Sequence, residues 1–371
     1  MKKILFLSPL PPPFYGSAIS SKFCLDILSK SKKYEVRSIK LNYSKEISDM
    51  GKINLDKIIG IFKVLKQIQK QLKEFRPDIV YFVPATDSFG LIRDFLFLKQ
   101  IKRYFKKKIL IHLRTRTIKT LLRNFFYKEI FSNQKVIVLG KELVEDISEW
   151  VGRDDIYILP NAINNSVSNK ELNKILKERK KNKIFNILFL SNMEKTKGWP
   201  KLLEACKILK ERRISFICNF VGDWQNVEDK EYFYNFIKNN HLEKEVFEYG
   251  KKIGKEKDNC LKNADVLVFP TEYRLETFGR VVIEAMMFAI PVIANSIATI
   301  PSIIEDKKTG FLLKNNTPEE IAEKIEILFK NPQLREKMGL EGRKKFLNQF
   351  ETKNYKKKFL GIIKSCSDNS T

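Results

Sequence analysis

Apolar residues cluster in short runs at 4–7, 36–41, 79–83, 109–111, 136–139 and 156–159, separated by longer stretches of helical periodicity. Such runs, mostly continuous and with Arg37, Ser38 and Lys40 the exceptions, are what strands become when both faces of a sheet are covered. The segment 54–75 repeats its apolar residues at helical spacing and predicts one of the covering helices. A polar stretch opening with Pro160-Asn161 and ending in the basic cluster 177–183 then predicts a link between domains. The pattern restarts, and 185–190, 214–221, 246–249, 266–269 and 292–294 predict a second strand series. Repeated strand–helix–strand order predicts two parallel-sheet α/β domains, 1–165 and 184–345, joined by a linker at 166–183. A closing segment, 346–371, is expected to cross back as a helix and end in a tail disordered from 365 onward. Tyr355, Phe359, Leu360 and Ile363 are its packing residues. Ligands of such sheets bind beyond the carboxyl ends of the strands, so the expected site is a cleft between two facing domains.

Composition narrows this picture. The 371 residues are 43% hydrophobic and 31% charged, which excludes collagen, coiled coil and wholesale disorder. A net charge of +26 points to an anionic partner: nucleic acid, an anionic membrane surface or a phosphorylated small molecule. Cys24, Cys206, Cys218, Cys260 and Cys366 are odd in number and scattered, so a reduced, cytoplasmic setting is expected. Residues 1–18 mimic a secretory signal, but the apolar run is short and Pro11, Pro12 and Pro13 break it. No stretch has the apolar length of a membrane span.

Three turns between a strand and a helix carry candidate chemistry. The first strand leads into Pro11-Pro12-Pro13-Phe14-Tyr15-Gly16-Ser17-Ala18, where a helix amino end can hold an anion, although a plain turn glycine explains Gly16 equally well. No G-x-G-x-x-G is present, so a dinucleotide reading fails. Lys197-Gly198 precedes Trp199-Pro200 and a helix; Gly198 lets backbone approach a ligand and Lys197 offers a point charge to phosphate, against the alternative of a solvated lysine. The third and most informative run goes from Phe269-Pro270 to Met287. There a loop carries Glu276, a helix starts near Phe278, and Glu284 lies about two turns inside. The helix amino end can hold a diphosphate through the Phe278 and Gly279 amides, and carboxylates suit paired hydroxyl donors of sugar or ribose. Complementing the helix dipole would explain Glu276 adequately and Glu284 poorly.

The Glu276-x7-Glu284 spacing, with Phe278-Gly279, Glu284-Ala285-Met286 and Pro291-Val292-Ile293-Ala294, resembles the donor-site signature of family 4 retaining glycosyltransferases. The Gly16 turn, Leu159-Pro160-Asn161-Ala162, Lys197-Gly198, Val221-Gly222-Asp223, Ala264-Asp265-Val266 and Thr309-Gly310-Phe311-Leu312 extend the resemblance along most of the chain. It implies the GT-B fold, two facing Rossmann-like domains with a cleft between them, the amino-terminal one holding the acceptor and the carboxy-terminal one the nucleotide sugar. It implies that Glu284 binds the nucleotide ribose, that Glu276 contacts the donor sugar, and that Lys197 with the Phe278 and Gly279 backbone holds the diphosphate. It also implies that His112, beyond a strand, sits near the transferring sugar; His241, in a polar helix end, is read as bland. The implied reaction moves a hexose-type sugar, with retention, from a UDP- or GDP-type donor to a glycan or lipid-linked glycan, in bacterial surface polysaccharide assembly.

Departures from the pattern are local. Asn192 stands where the family has Arg, a contact that Arg274 or Arg280 would have to replace; Gly16-Ser17 replaces Gly-Gly, and Ala289 replaces a Gly. No D-x-D metal site stands in the required place, so metal-independent chemistry with no cofactor is expected. A nucleotide-sugar epimerase or phosphorylase of the same architecture is the nearest alternative. A nucleic-acid-binding protein is the alternative from another class, but no nucleic-acid motif is present and no such partner is expected.

Between residues 91 and 128, twelve Lys or Arg against Asp94 alone concentrate +11 of the +26. Lys102, Arg103, Lys106, Lys107, Lys108 and Arg123 lead this set, interleaved with Phe95, Phe97, Tyr104, Phe105, Phe125, Phe126 and Tyr127. Such a mixture suits an acceptor patch or an anionic membrane at the inner face of the cell, or else a solvated helix face with its aromatics in the core.

Overall fold

A computed structural model describes residues 1–13, 16–41, 55–86, 88–117 and 121–368. It divides into two units: Met1–Asn161 with Tyr355–Thr371, and Ala162–Asn354.

The first unit runs β1 (Lys2–Ser8), α1 (Gly16–Ser29), β2 (Tyr34–Lys40), α2 (Leu55–Glu74), β3 (Ile79–Phe82), α3 (Ser88–Tyr104), β4 (Leu110–His112), α4 (Leu121–Phe131), β5 (Lys135–Val138) and β6 (Ile156–Ile158). Its strands form one parallel sheet in the order β2-β1-β3-β4-β5-β6, with Ile4 registered on both Val36 and Ile79. Every residue of the central strands β3, β4 and β5 is buried, as expected of strands covered on both faces, whereas the edge strands β2 and β6 are partly exposed. The helix read at 54–75 is α2; Asn54 lies outside the described residues.

The second unit runs α5 (Asn169–Lys181), β7 (Phe185–Leu190), α6 (Trp199–Glu211), β8 (Phe216–Val221), α7 (Val227–Asn239), β9 (Val246–Glu248), α8 (Gly254–Asn263), β10 (Val266–Phe269), α9 (Arg280–Met287), β11 (Val292–Asn295), α10 (Ile300–Ile303), β12 (Gly310–Leu313), α11 (Pro318–Lys330) and α12 (Pro332–Lys345). Its parallel sheet has the order β12-β11-β10-β7-β8-β9, the doubly wound order whose direction reverses between β7 and β10. Ligands of such sheets bind beyond the carboxyl ends of the strands flanking that reversal.

Three expectations need correction. The stretch 166–183 is not an extended linker: Ser168 caps α5 by accepting from the Glu171 amide, and Leu172, Ile175 and Arg179 bury one face of that helix within the second unit. A sixth strand, β12, pairs with β11 beyond the five that the sequence pattern predicts for this unit. The closing helix, α13 (Thr352–Asp368), continues through most of the stretch read as a disordered tail, because Tyr355, Phe359, Ile363 and Ser367 keep one buried stripe at helical spacing. From Tyr355 onward the chain belongs to the first unit, where the Tyr355 hydroxyl lies 3.0 Å from Cys24 Sγ on α1.

Candidate functional site

In the second unit, the loops after β7 and β10 meet at the reversal point. The β7 loop ends in a short turn, Lys195–Lys197, closed by Gly198 at φ 87° as it opens α6. A Cβ on Gly198 would lie 2.2 Å from the Pro270 carbonyl oxygen, so this glycine is required both by its left-handed backbone and by the closeness of the β10 loop. Gly279, at φ 64°, opens α9 in the same manner.

The β10 loop is held from several sides. The Glu272 amide donates to the Thr196 carbonyl at 2.7 Å. Asn316 donates to the Pro270 carbonyl, Asn295 to that of Thr271 and Thr299 to that of Thr277. These side chains come from the end of β11 and the loops after β11 and β12, so the site is fixed by segments far apart in sequence. At its other end α9 is clamped by two buried arginines. Arg179 donates to the Phe288 and Ala289 carbonyls and to those of Leu261 and Lys262, and Arg343 donates to the Met287 carbonyl. Burial lowers the Arg179 pKa to about 10.

Within this frame Lys197 Nζ lies 3.0 Å from Glu276 Oε2 and 3.6 Å from the centroid of the Tyr273 ring, a cation both paired and stacked. Glu276 Oε1 accepts from the Gly279 amide at 3.1 Å and the Thr277 amide at 3.3 Å. The Gly279 amide, expected to face a diphosphate, is therefore occupied by Glu276, which screens the helix amino end and neutralises Lys197 together. The Phe278 side chain is buried, packed edge-on against Phe350. Glu284 is 8% exposed, lies one turn rather than two inside α9, and pairs with Lys257 of α8 at 2.9 Å. Asn192, Arg274 and Arg280 are all exposed. The structure thus brings Lys197, Glu276, Phe278 and Gly279 together, with Glu284 further along the same helix.

Residues in the first unit are placed differently. Gly16 is the exposed first residue of α1, and a Cβ there would meet nothing within 4 Å, so its geometry does not demand glycine. Phe14 and Tyr15 of that turn lie outside the described residues. His112 is the last residue of β4 and is fully buried. Tyr81 Oη lies 2.6 Å from its Nδ1, and Arg114 Nη2, a donor only, lies 3.4 Å from the same atom. Nδ1 is therefore the acceptor and Nε2 carries the hydrogen; Nε2 has no hydrogen-bond partner among the described residues.

Burial, reinforced by the Arg114 cation, pushes the His112 pKa well below 6.5. The unfolded chain takes up a proton near pH 6.5, whereas the folded site refuses it until lower pH. Between those values the unfolded state binds more protons, so this group's contribution is whole above about pH 6.5 and is lost as pH falls below it, by up to about 1.4 kcal/mol per pH unit. Urea unfolding of wild type and His112→Gln from pH 7.5 to 5 is expected to show a steeper acid loss in wild type; parallel curves would show that the imidazole is not held neutral.

In the basic stretch, Phe97, Phe105 and Tyr127 are core residues, Lys102 donates to the Glu129 carbonyl, Lys106 to that of Lys102, and Lys108 pairs with Asp155. Burial lowers the Lys102 pKa. Arg103 and Lys107 remain exposed and Arg123 is half-buried, while Lys119 lies outside the described residues.

Neither Lys257 nor the buried arginines were legible as site residues, because each acts across a gap of tens of residues with no local motif. Asn295 and Asn316 had one available signal, an amide side chain directly after or near an apolar run where a strand ends.

Residues 168–345 match the family described as Glycosyl transferases group 1. An uncharacterized 41.2 kDa protein in the cps region of Klebsiella pneumoniae is 28% identical over 73% of this chain and 74% of its own. The capsular polysaccharide biosynthesis glycosyltransferase CapM of Staphylococcus aureus is 25% identical over 84% of this chain and 83% of its own. Among solved structures, a glycosyltransferase from Rickettsia africae superposes with a TM-score of 0.76 at 19% identity, covering 98% of both chains. Anabaena HepE in complex with UDP-glucose superposes with a TM-score of 0.72 at 16% identity, covering 98% of this chain and all of that one. The fold is that of the GT-B glycosyltransferases. The family match over residues 168–345 and these relatives make the chain similar to group 1 glycosyltransferases along that stretch.

Proposed function

We propose that the protein transfers a hexose-type sugar, with retention of anomeric configuration and without a metal ion, from a UDP- or GDP-type nucleotide sugar to a glycan or lipid-linked glycan. The observation that carries this reading is the Lys197–Glu276 pair at the sheet's reversal point, with the buried Glu284 carboxylate further along the same helix. A diphosphate entering there competes with Glu276 for Lys197, so donor binding exchanges an internal ion pair for one to the leaving group. Lys197 and the α9 amino end then stabilise the negative charge that grows on the β-phosphate. The acceptor hydroxyl approaches on the face the phosphate leaves, and its proton passes to that phosphate, so C–O bond breaking and making share one face. In this reading His112 serves as a neutral N–H donor. CapM by its name acts in capsular polysaccharide biosynthesis, and HepE was solved with UDP-glucose; both favour a nucleotide-sugar donor and surface polysaccharide as product.

Thermal unfolding across UDP, GDP, ADP, CMP and their sugars tests the donor. A ligand at one hundred times its Kd adds about 2.7 kcal/mol of stability, readily seen as a raised Tm. One nucleotide series is expected to stabilise the protein, and no shift with any would refute the reading. With the matching donor, NMR of the product is expected to show the donor's anomeric configuration, and EDTA is expected to leave turnover unchanged.

A further inference from the structure

Helices α2, α3 and α4 each leave the carboxyl end of one strand and return to the amino end of the next, so they lie parallel with their amino ends together; α2 packs on α3, and α3 on α4. Their outward rows share one polarity. On α3 the exposed residues among those described are Ile92, Leu96, Lys99 and Arg103, one straight row that is apolar first and cationic after. On α2, Ile58, Ile59 and Phe62 precede Lys63, Lys66, Lys70 and Lys73, all exposed. On α4, exposed Phe125 precedes Lys128, and Phe95 and Phe126 pack around the Phe125 ring. Phe62 is 62% and Phe125 56% exposed, far from the burial such side chains normally reach. The sum is an apolar zone along the amino-terminal halves of the helices, backed by a cationic belt.

We propose that this face docks the protein on an anionic lipid bilayer, the apolar zone entering the headgroup–acyl boundary and the belt lying at the phosphates. Separation of apolar from cationic residues along parallel helices matches the layering of a bilayer surface. Single-stranded nucleic acid calls for rings interleaved with charge on which bases stack, whereas Ile58, Ile59, Ile92 and Leu96 offer no stacking plane. A second copy of this face would bring like charges together. The docking is independent of donor chemistry and can be tested without turnover.

The full-length protein is floated on sucrose with phosphatidylcholine vesicles, with and without phosphatidylglycerol, at low and high salt. It is expected to float with the anionic vesicles, more strongly at low salt, and to stay behind with phosphatidylcholine alone. Phe62→Ser with Leu96→Ser, which leaves the charge unchanged, is expected to abolish flotation. Lys66→Gln with Lys99→Gln is expected to weaken it by about fivefold for each lysine. All four positions are exposed, and equal melting of variants and wild type verifies the fold. Flotation that ignores both pairs of substitutions, or no flotation beside salt-sensitive binding to poly(U) RNA, would overturn the proposal. So would a dimer in sedimentation that Phe62→Ser dissolves while lipid binding is absent.

Discussion

Replacing Lys197 with Ala will lower kcat by about 100- to 1,000-fold, equivalent to about 2.7–4 kcal/mol of transition-state stabilisation, as for the loss of one preorganised group facing a developing oxyanion. The size follows from where charge grows. A nucleotide sugar already carries negative charge on its diphosphate when it binds, and breaking the glycosidic bond adds more on the β-phosphate, so a cation at that oxygen gains most in the transition state. Lys197 is suited to this because it is held rather than free: the Tyr273 ring lies 3.6 Å below its Nζ, Glu276 is 3.0 Å away, and its side chain is 13% exposed. The variant separates this role from a structural one. Without Lys197, Glu276 keeps its bonds to the Gly279 and Thr277 amides, so α9 stays capped and the Tm should move little. Donor affinity, read as the Kd of the nucleoside diphosphate, should weaken far less than kcat falls. A Lys197→Ala enzyme within fivefold of wild-type kcat would remove Lys197 from the chemistry. A large drop in Tm with kcat and Kd falling together would make it a packing residue.

Most of this architecture is written in local pattern. Among the described residues most strands announce themselves as apolar-rich runs, since a strand covered on both faces has few polar positions, although the edge strand β2 carries Arg37, Ser38 and Lys40. The run pattern leaves out β12. The linker reading fails because α5 is so rich in Lys and Glu that its buried face shows only at Leu172, Ile175 and Arg179, whose charged head is itself buried against backbone carbonyls. Within the site, the residues on one loop and the helix after it were legible together, because Glu276, Gly279 and Glu284 are tied by fixed spacing. What spacing cannot carry is the state of those residues. That the Gly279 amide is already taken by Glu276, and that Glu284 has a lysine from α8, are contacts between segments that no single stretch records. The basic stretch shows the same limit. Counting charges marked 91–128, yet Lys102, Lys106 and Lys108 turn back on the protein, and the cationic row continues instead on α2, beyond the counted window.

Glu284→Ala is expected to weaken nucleotide binding by about 100-fold, from the loss of two charge-assisted hydrogen bonds to ribose hydroxyls at about 1.5 kcal/mol each. The carboxylate is 8% exposed, and one oxygen, Oε1, holds Lys257 at 2.9 Å, leaving Oε2 and the remaining lone pairs for a vicinal diol. The same geometry supports a simpler role, in which Glu284 does nothing but neutralise Lys257. The two roles part company at the other end of the pair. If Glu284 reads ribose, Lys257→Ala frees the carboxylate without removing it, so nucleotide Kd should stay within a few fold while Glu284→Ala loses two orders of magnitude. If the pair is only structural, both single substitutions should lower the Tm by similar amounts and leave nucleotide Kd alone. Isothermal titration of the three proteins with the nucleoside diphosphate that stabilises wild type decides between them. Repeating it with the 2′,3′-dideoxy nucleotide sharpens the result. Wild type should bind this ligand about as weakly as Glu284→Ala binds the natural one, and the variant should no longer distinguish the two, because the hydroxyls and the carboxylate are halves of one interaction.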